Sequence, residues 1–221
     1  MVEITLVRHG QASFGAADYD RLSPLGHEQA RMLGESLALR GGARPSRVFL
    51  GNMRRHRETL EGLAPALGLD PDAAVVHEGL NEFDGGALLA CRFGGALPED
   101  VRRDRRLYFR TLRETVLAWQ RDEVEAPPER WRDFSARVSD ALAEMRAAGG
   151  DVLAVSSGGA ISRMLVEVLG APPAQMILLQ LQMKNCAVSR LVGGGQGLFL
   201  HAFNEAPHLR TEEDDRLLTY A

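Results

Sequence analysis

Two short polar segments each follow an apolar run and contain residue types that can do chemistry. Residues 8–10 read Arg-His-Gly after the run 2–7, and residues 156–159 read Ser-Ser-Gly-Gly after the run 152–155. Each apolar run is typical of a β-strand, and ligands of a parallel α/β sheet bind beyond the carboxyl ends of its strands. These two segments are therefore the first place to expect a site.

The chemistry that these segments favour is that of a phosphate group. His9 can act as a nucleophile, and Arg8 beside it can neutralise a phosphate through paired hydrogen bonds. Gly158 and Gly159 would let backbone amides approach an anion at the start of a helix. An isolated histidine near a loop is often structural, so the prediction depends on the combination of these features.

Composition excludes several other chemistries. The chain has 221 residues, a formal net charge of −4 and a single lysine, Lys184. Met183 precedes that lysine, so the Gly-Lys-Ser/Thr end of a nucleotide-binding P-loop is absent. Arg31 stands where a zinc-binding His-Glu-x-x-His helix beginning at His27 would need its second histidine. A negative net charge without interleaved basic and aromatic residues makes nucleic acid an unexpected partner.

Cysteine use and hydropathy indicate the cellular setting. Cys91 and Cys186 are far apart and form no Cys-x-x-Cys pair, which argues against a disulfide framework or a cysteine zinc site. No apolar run approaches the roughly 18 residues that a membrane helix needs. The sequence therefore predicts a cytoplasmic protein without a membrane segment.

The elements that must position these residues alternate along the first third of the chain. Strand and helix patterns follow one another in the order strand 2–7, helix 24–39, strand 47–50 and helix 55–67. Gly41 and Gly42 are predicted to end the first helix. This alternation predicts a parallel α/β sheet with crossover connections.

The rest of the chain predicts a helical stretch and then further strands. Helical periodicity covers residues 98–122 and 129–148, and we interpret residues 94–148 as a helical insertion beside the sheet. Three more strands are predicted, over residues 152–155, 186–192 and 198–203. The charged tail after Pro207 is expected to be loose. Length favours a single domain over residues 1–221.

Residues 6–10, Leu-Val-Arg-His-Gly, resemble the signature of the histidine phosphatase superfamily, also called the phosphoglycerate mutase-like family. Five further segments resemble elements of that family in the same order: Tyr19-Asp20-Arg21-Leu22-Ser23-Pro24-Leu25-Gly26, Arg55 with Thr59, Leu80-Asn81-Glu82, Val155-Ser156-Ser157-Gly158-Gly159 and Asn185-Cys186-Ala187-Val188-Ser189. The resemblance covers nearly the whole chain. It implies an α/β fold with a mostly parallel central sheet, flanked by helices on both faces.

The resemblance also implies a role for each matching residue. His9 would attack phosphorus and become a transient phosphohistidine, while Glu82 would protonate the leaving oxygen. Four residues would bind the phosphoryl group: Arg8, Arg55, Ser157 and Gly158. Because arginines would supply the positive charge, no metal or cofactor is expected.

Two of these assignments have competitors close by in sequence. Arg55 lies within a basic run, residues 53–57, for which the alternative is a solvated helix face, and the register of the run favours Arg55. Asp84 and Glu78 are the acids that compete with Glu82. The arginine-rich segment between residues 102 and 113 is interpreted as a solvated helix face that makes i,i+4 pairs.

Position 157 departs from the family pattern. The family's second histidine belongs there, and this chain has serine. Losing one preorganised transition-state donor typically lowers the rate about 10²- to 10³-fold. The Ser157 hydroxyl and the glycine amides after it could recover part of that loss. Among the remaining histidines, His56 directly follows Arg55 and is the first candidate to take the missing place in space.

The resemblance favours a phosphatase that hydrolyses small phosphomonoesters, with activity reduced by Ser157. The alternatives are a catalytically silent phosphate-binding module and a phosphoglycerate mutase. His9 and Glu82 favour an enzyme, because a binding module needs neither, whereas Ser157 favours the module. A mutase is less favoured, because the chain lacks an obvious extra basic element to retain a phosphorylated intermediate. Specificity is expected to come from the helical insertion.

Overall fold

The computed structural model describes residues 2–13, 20–39, 44–195 and 197–220. Their α-helices are α1 (Pro24–Leu39), α2 (Arg54–Leu67), α3 (Gly85–Arg92), α4 (Glu99–Arg103), α5 (Arg105–Gln120), α6 (Trp131–Ala147), α7 (Gly158–Val168) and α8 (Gln175–Gln182). Their strands are β1 (Val2–Arg8), β2 (Arg47–Leu50), β3 (Val75–Val76), β4 (Val152–Ser156), β5 (Val188–Gly194) and β6 (Gly197–Glu205). Short 3-10 helices span Pro71–Ala73, Glu78–Leu80 and Glu212–Leu217.

The strands form one sheet in the order β3-β2-β4-β1-β5-β6. The pairs β1–β4, β4–β2 and β2–β3 are parallel, whereas β5 pairs antiparallel with both β1 and β6. All five residues of β4 are buried, as expected for a parallel strand covered on both faces. The predicted α/β fold with a mostly parallel sheet is confirmed.

Helices cover both faces of the sheet. On one face, α1 and α2 contribute Leu33, Leu60 and Leu63 to a core shared with β1, β2 and β4. The larger core, on the other face, includes a group of aromatic rings with centroids 5.2 to 5.7 Å apart: Phe83, Trp119, Trp131 and Phe134. Within the described ranges, none of these helices is both long and apolar enough to span a membrane.

Three helices, α4 to α6, occupy the interval predicted to be helical. The single pattern over residues 98–122 divides at Asp104, whose backbone is extended with φ −95° and ψ 108°. The Asp104 carboxylate accepts hydrogen bonds from the amides of Arg106 and Leu107 and so begins α5 as a separate helix. Helix α6 forms where its periodicity predicts, with one buried apolar stripe.

The prediction of a loose C-terminal tail is wrong. The backbone carbonyl of Thr219 accepts a 2.9 Å hydrogen bond from the amide of Asn185. The side chain of Gln29 donates at 2.7 Å to the carbonyl of Leu217, a residue that is fully buried. The segment after Pro207 is charged, but its backbone and one apolar side chain have partners in the body of the protein.

The other predicted bounds differ from the structure in one place and lie outside the described residues in another. The strand expected from residue 186 begins at Val188, because Cys186 has a φ of 52°, which lies outside strand conformations. The helix end predicted at Gly41 and Gly42 lies outside the described residues. Helices α3 and α8 were not predicted; both have eight residues, and neither carries a strong pattern.

Candidate active site

The candidate site lies where the neighbouring strands β1 and β4 end. Arg8, the last residue of β1, is paired with Ser156, the last residue of β4. The amide of His9 donates a 3.0 Å hydrogen bond to the carbonyl of Ser156. Parallel pairing in this register therefore brings residues 8–10 and 156–159 together, although they are far apart in sequence.

His9 is held in one orientation at the centre of this site. Its Nδ1 lies 2.7 Å from the carbonyl oxygen of Gly10. A carbonyl oxygen only accepts, so Nδ1 carries the proton and Nε2 has the lone pair. Burial, and then the positive charges of Arg55 and Arg8, lower the pKa of His9 well below 6.5. His9 is therefore neutral, with Nε2 in the form that a nucleophile requires.

The backbone around His9 is tied to two other parts of the chain. The amide of Gly10 donates a 3.1 Å hydrogen bond to the hydroxyl of Thr59 on α2. The carbonyl of His9 accepts from the amide of Cys186 and the side-chain amide of Asn185, each at 3.3 Å. These contacts restrict movement of the loop and hence of the imidazole.

Two buried arginines flank His9. A guanidinium nitrogen of Arg8 donates to the carbonyl of Met183, and Nη1 of Arg55 donates at 2.5 Å to the carboxylate of Asp20. Both guanidinium groups are buried, and their positive charges lower the pKa of His9. A neutral imidazole between two buried cations makes a site suited to a dianion.

The rotation of α2 separates Arg55 from its competitors in the basic run. Arg54 and Arg57 are bonded to glutamates one turn along α2, at 2.6 and 2.8 Å, and their side chains are exposed. Arg55 and Thr59 lie on the buried face, where the Thr59 hydroxyl donates at 2.7 Å to the carbonyl of Arg55. Arg55 is therefore the arginine of this run that the structure brings to the site.

Glu82 reaches the site from the loop before α3. Its Oε2 accepts a 2.9 Å hydrogen bond from the amide of Gly159 and a 3.3 Å hydrogen bond from the side chain of Gln180. Burial raises the pKa of Glu82 above its ordinary value and outweighs the opposing effects of the Gly159 amide and the two arginines. A carboxyl group with a raised pKa keeps its proton to a higher pH and can act as a general acid.

The two competing acids are placed elsewhere. Asp84 accepts a 2.8 Å hydrogen bond from the amide of Ala87 and caps the N-terminus of α3. Glu78 is exposed in the 3-10 helix Glu78–Leu80. Both acids have ordinary structural positions, whereas the pKa of Glu82 is affected by the charges of Arg55 and Arg8.

Ser157 and Gly158 lie at the N-terminus of α7. Gly158 is buried beside Arg8, so that a Cβ built on it would be 3.5 Å from Nε of that arginine. The hydroxyl of Ser157 is hydrogen-bonded to Nε2 of His56 at 2.7 Å. The ring centroid of His56 is 5.8 Å from that of His9. The structure thus brings His56 beside both position 157 and the central histidine.

Three side chains that support the site were not predicted from the sequence. They contact residues that it did predict: Asp20 binds Arg55, Gln180 binds Glu82 and Asn185 binds the carbonyl of His9. Asp20 and Asn185 lie inside segments that match the family pattern, and this match could have identified them as site residues. Gln180 lies on α8, where no motif points to it. Across the described part of the chain, no group of His, Cys, Asp and Glu side chains is arranged to hold a metal ion.

Comparisons with known proteins show the family and the fold of this chain. The family model described as the histidine phosphatase superfamily (branch 1) matches residues 4–206. A solved mycobacterial glucosyl-3-phosphoglycerate phosphatase is 25% identical, has a TM-score of 0.64, and aligns over 91% of this chain and 98% of its own. A mutant phosphoserine phosphatase from Entamoeba histolytica, solved with phosphoserine, is 16% identical with a TM-score of 0.67 over 95% and 100% of the two chains. The second likeness concerns the fold alone. No curated protein matches the sequence.

Proposed function

Because the chain belongs to branch 1 of the histidine phosphatase superfamily, we propose that it hydrolyses small phosphomonoesters through a phosphohistidine on His9. The orientation of His9 carries this proposal, because the Gly10 carbonyl binds the Nδ1 proton and leaves the lone pair on Nε2. A pocket that only binds phosphate gains nothing from a neutral, oriented nucleophile. The half-buried Glu82 supports the same conclusion, since a binding site needs no proton donor.

In the first half of the proposed reaction, the Nε2 lone pair of His9 forms a bond to phosphorus while the bond from phosphorus to the ester oxygen breaks. The ester oxygen takes the proton of Glu82 and leaves as an alcohol, so Glu82 becomes a carboxylate. The raised pKa of Glu82 supports this role, because the carboxyl group must begin the cycle protonated.

In the second half, a water molecule attacks phosphorus and gives a proton to the carboxylate of Glu82. The bond from phosphorus to Nε2 breaks, which releases inorganic phosphate and returns His9 to its neutral form. The Nδ1 proton stays on the imidazole throughout, and the Gly10 carbonyl accepts its hydrogen bond. Each residue thus ends the cycle in the protonation state in which it began.

The phosphoryl oxygens are bound by Arg8 and Arg55, and the hydroxyl of Ser157 and the amide of Gly158 complete the set. Guanidinium groups pair with phosphoryl oxygens through two parallel hydrogen bonds and stabilise the charge of the transition state. Since the positive charge comes from the chain itself, turnover is expected to be insensitive to metal chelators.

A catalytically silent phosphate-binding module is the competing function, and Ser157 is the observation that favours it. Serine cannot carry a positive charge to the phosphoryl group. Removal of one preorganised donor lowers the rates of other enzymes by about 10²- to 10³-fold. A loss of that size weakens an enzyme without silencing it, so we retain the phosphatase as the first proposal.

The test compares the wild type with His9→Ala in hydrolysis of p-nitrophenyl phosphate. We expect measurable turnover in the wild type and none in His9→Ala. The matched control is His27→Ala, because the His27 side chain is 53% exposed on α1. Rapid denaturation during turnover followed by mass measurement is expected to show one acid-labile phosphoryl group on the wild type. Equal residual rates in the wild type and His9→Ala would favour the binding module.

The proposal includes a cytoplasmic location, one domain over residues 1–221 and a small phosphorylated substrate. Cys91 and Cys186 are both free thiols, which is the usual state of cysteine in a reducing compartment. The net charge of −4 argues against a nucleic acid as the partner, and the buried Arg8 and Arg55 support a small phosphorylated ligand.

A further inference from the structure

Arg137, on α6, contacts the segment of chain that leads to Glu82, residues 78–82, which we call the donor loop. Its Nη1 donates hydrogen bonds to two backbone carbonyls of that loop, at 2.7 Å to Glu78 and at 2.9 Å to Asn81. The Asn81 carbonyl belongs to the peptide bond whose nitrogen is that of Glu82. One guanidinium nitrogen therefore binds the main chain directly before the proposed proton donor.

The other side of this guanidinium binds an acid. Nε and Nη2 of Arg137 donate to the two carboxylate oxygens of Glu129, at 2.6 and 2.9 Å. Two parallel hydrogen bonds of this kind fix the plane of the guanidinium. The side chains of Arg137 and Glu129 are 22% and 28% exposed, so the solvent screening that weakens fully exposed ion pairs is reduced here.

The ring beneath Arg137 also leads to Glu82. Cζ of Arg137 lies 4.8 Å from the ring centroid of Phe134. The Phe134 ring packs edge-on against that of Phe83, with centroids 5.7 Å apart, and Phe83 directly follows Glu82. Arg137 therefore contacts the residue before Glu82 directly and the residue after it through one aromatic ring.

The donor loop lies close against α6. A Cβ built on Gly79 would be 2.0 Å from the carbonyl oxygen of Arg137. The loop is also bonded to the end of β4, because the hydroxyl of Ser156 donates at 2.7 Å to the carbonyl of Leu80. Ser156 thus binds the middle of the loop, and Arg137 binds the carbonyls on both sides of it.

We propose that Arg137 is a positioning residue for Glu82, and that Glu129 keeps its guanidinium in the orientation that this requires. The inference rests on the proposed function, in which Glu82 is the proton donor. It gives the helical insertion a task besides specificity, because α6 then determines where the carboxyl group of Glu82 lies. A misplacement of about 1 Å can lower the rate of an enzyme about 100-fold.

The arrangement requires arginine because the guanidinium donors form a rigid, planar fork. Its Nε and Nη2 bind the carboxylate of Glu129, and Nη1 has two N–H groups for the two carbonyls. Lysine has the same charge, but its ammonium group cannot bind both oxygens of a carboxylate and two carbonyls in a fixed geometry. Arg137→Lys therefore removes these contacts while it keeps the charge.

The first test measures kcat/KM for an alkyl phosphate and for p-nitrophenyl phosphate, because kcat/KM includes only the steps up to departure of the leaving group. Arg137→Lys is expected to lower kcat/KM about 10-fold on the alkyl phosphate, whose leaving oxygen needs the proton of Glu82. On p-nitrophenyl phosphate the loss is expected to stay below about 2-fold, because the leaving group departs without a proton.

Arg190→Lys is the matched control for this test. Arg190, on β5, donates at 2.8 Å to Glu205 on β6, and its side chain is 28% exposed. It therefore resembles Arg137 in charge, burial and pairing, but its printed partner lies on the neighbouring strand and not in the donor loop. The change in kcat/KM is expected to be below about 2-fold on both esters.

Glu129→Gln tests the second half of the inference. It is expected to show the same difference between the two esters with a smaller loss, since the guanidinium remains but its plane is less well fixed. The double variant Glu129→Gln/Arg137→Lys is expected to match Arg137→Lys, because Glu129 acts through the guanidinium. Losses that multiply in the double variant would contradict the task proposed for Glu129.

The second test follows Glu82 itself and needs no turnover. Burial raises the pKa of Glu82, so release of the donor loop from α6 is expected to expose the carboxyl group and to lower its pKa towards the ordinary value. Titration of the carboxyl ¹³C signals by NMR measures this pKa in the wild type and in Arg137→Lys, and Glu82→Gln assigns the signal. Arg190→Lys is expected to leave the pKa of Glu82 unchanged.

Three results would overturn the inference: equal losses on the two esters in Arg137→Lys, full kcat/KM on the alkyl phosphate in that variant, or an unchanged pKa of Glu82. Failure of the proposed function has a different signature. If the pKa of Glu82 falls in Arg137→Lys but the wild type hydrolyses esters no faster than His9→Ala, Arg137 positions Glu82 and the phosphatase proposal fails.

Discussion

The backbone amide of Gly159 donates a 2.9 Å hydrogen bond to Oε2 of Glu82 and joins the N-terminus of α7 to the loop before α3. The contact is close on both sides of the carboxyl group, since a Cβ on Gly159 would lie 2.0 Å from Oε1. The backbone at Gly159, where a side chain would not fit, therefore determines the position of Glu82, the proposed proton donor.

Gly159→Ala is expected to displace Glu82 and to lower kcat about 100-fold on an alkyl phosphate, as when a general acid is lost. The loss is expected to be much smaller on p-nitrophenyl phosphate, whose leaving group departs without a proton. Gly86→Ala on α3 is the control, because the nearest atom to its Cβ would be 3.5 Å away. Equal losses on the two esters would indicate damage to phosphoryl binding instead.

The pKa shifts of His9 and Glu82 predict how kcat/KM depends on pH. His9 must be neutral, and because its pKa is lowered, activity is lost only well below pH 6.5. Glu82 must be protonated, and because its pKa is raised, activity falls as pH rises through that value. Glu82→Gln is expected to abolish the alkaline decline on an alkyl phosphate. An unchanged decline in Glu82→Gln would assign the proton donor to another group.

Arg55→Lys is expected to lower kcat/KM for a phosphomonoester by about 100-fold or more, because lysine cannot form the two parallel hydrogen bonds of a guanidinium. The matched control is Arg57→Lys on the exposed face of the same helix, with a change below about 2-fold. A similar loss in both variants would mean that the charge of α2 as a whole, and not contact by Arg55, attracts the substrate.

His208→Leu is expected to stabilise the protein and to flatten its acid sensitivity. Neither ring nitrogen of the buried His208 has a hydrogen-bond partner among the described residues, and burial lowers its pKa to about 4. As pH falls below 6.5 the unfolded chain takes up a proton that the folded chain resists until about pH 4, which costs up to roughly 3 kcal/mol.

Thermal unfolding across that pH range measures this effect. At neutral pH, removing the unpaired imidazole is expected to raise the melting temperature by about 2–4 °C for each kcal/mol gained. His201→Leu, at an exposed position on β6, is the control. A lower melting temperature in His208→Leu would show that the imidazole has a favourable interaction that outweighs its burial.

Thr219→Val tests whether the C-terminal segment supports the site. The Thr219 hydroxyl donates to Oδ1 of Asn185 at 2.9 Å, and the side-chain amide of Asn185 donates to the carbonyl of His9. We expect a loss of about 1–2 kcal/mol in the free energy of unfolding, and a fall in kcat of a few-fold. Thr5→Val on β1 is the control, since the Thr5 hydroxyl makes only a 3.5 Å contact. Unaltered kcat with lowered stability would limit the segment to a structural role.

The sequence by itself determined the α/β fold and the family. Apolar runs and helical periodicity are local properties, so β1, α1, β2 and α2 form within a residue or so of their predicted bounds. The segments at residues 8–10 and 156–159 were recognisable for the same reason, because each ends a strand and carries its polar residues in one short stretch. A parallel sheet then requires their ends to meet at one edge.

Only the tertiary structure decided which distant side chains touch. The contact between His56 and Ser157 depends on the rotation of α2 and on the register of β4 beside β1, and neither is encoded in the residues around positions 56 and 157. The C-terminal segment is packed for the same reason: its charged composition predicts solvent exposure, but Asn185 and Gln29 bind its backbone. Partners that lie far apart in the chain meet only after the sheet and its helices have assembled.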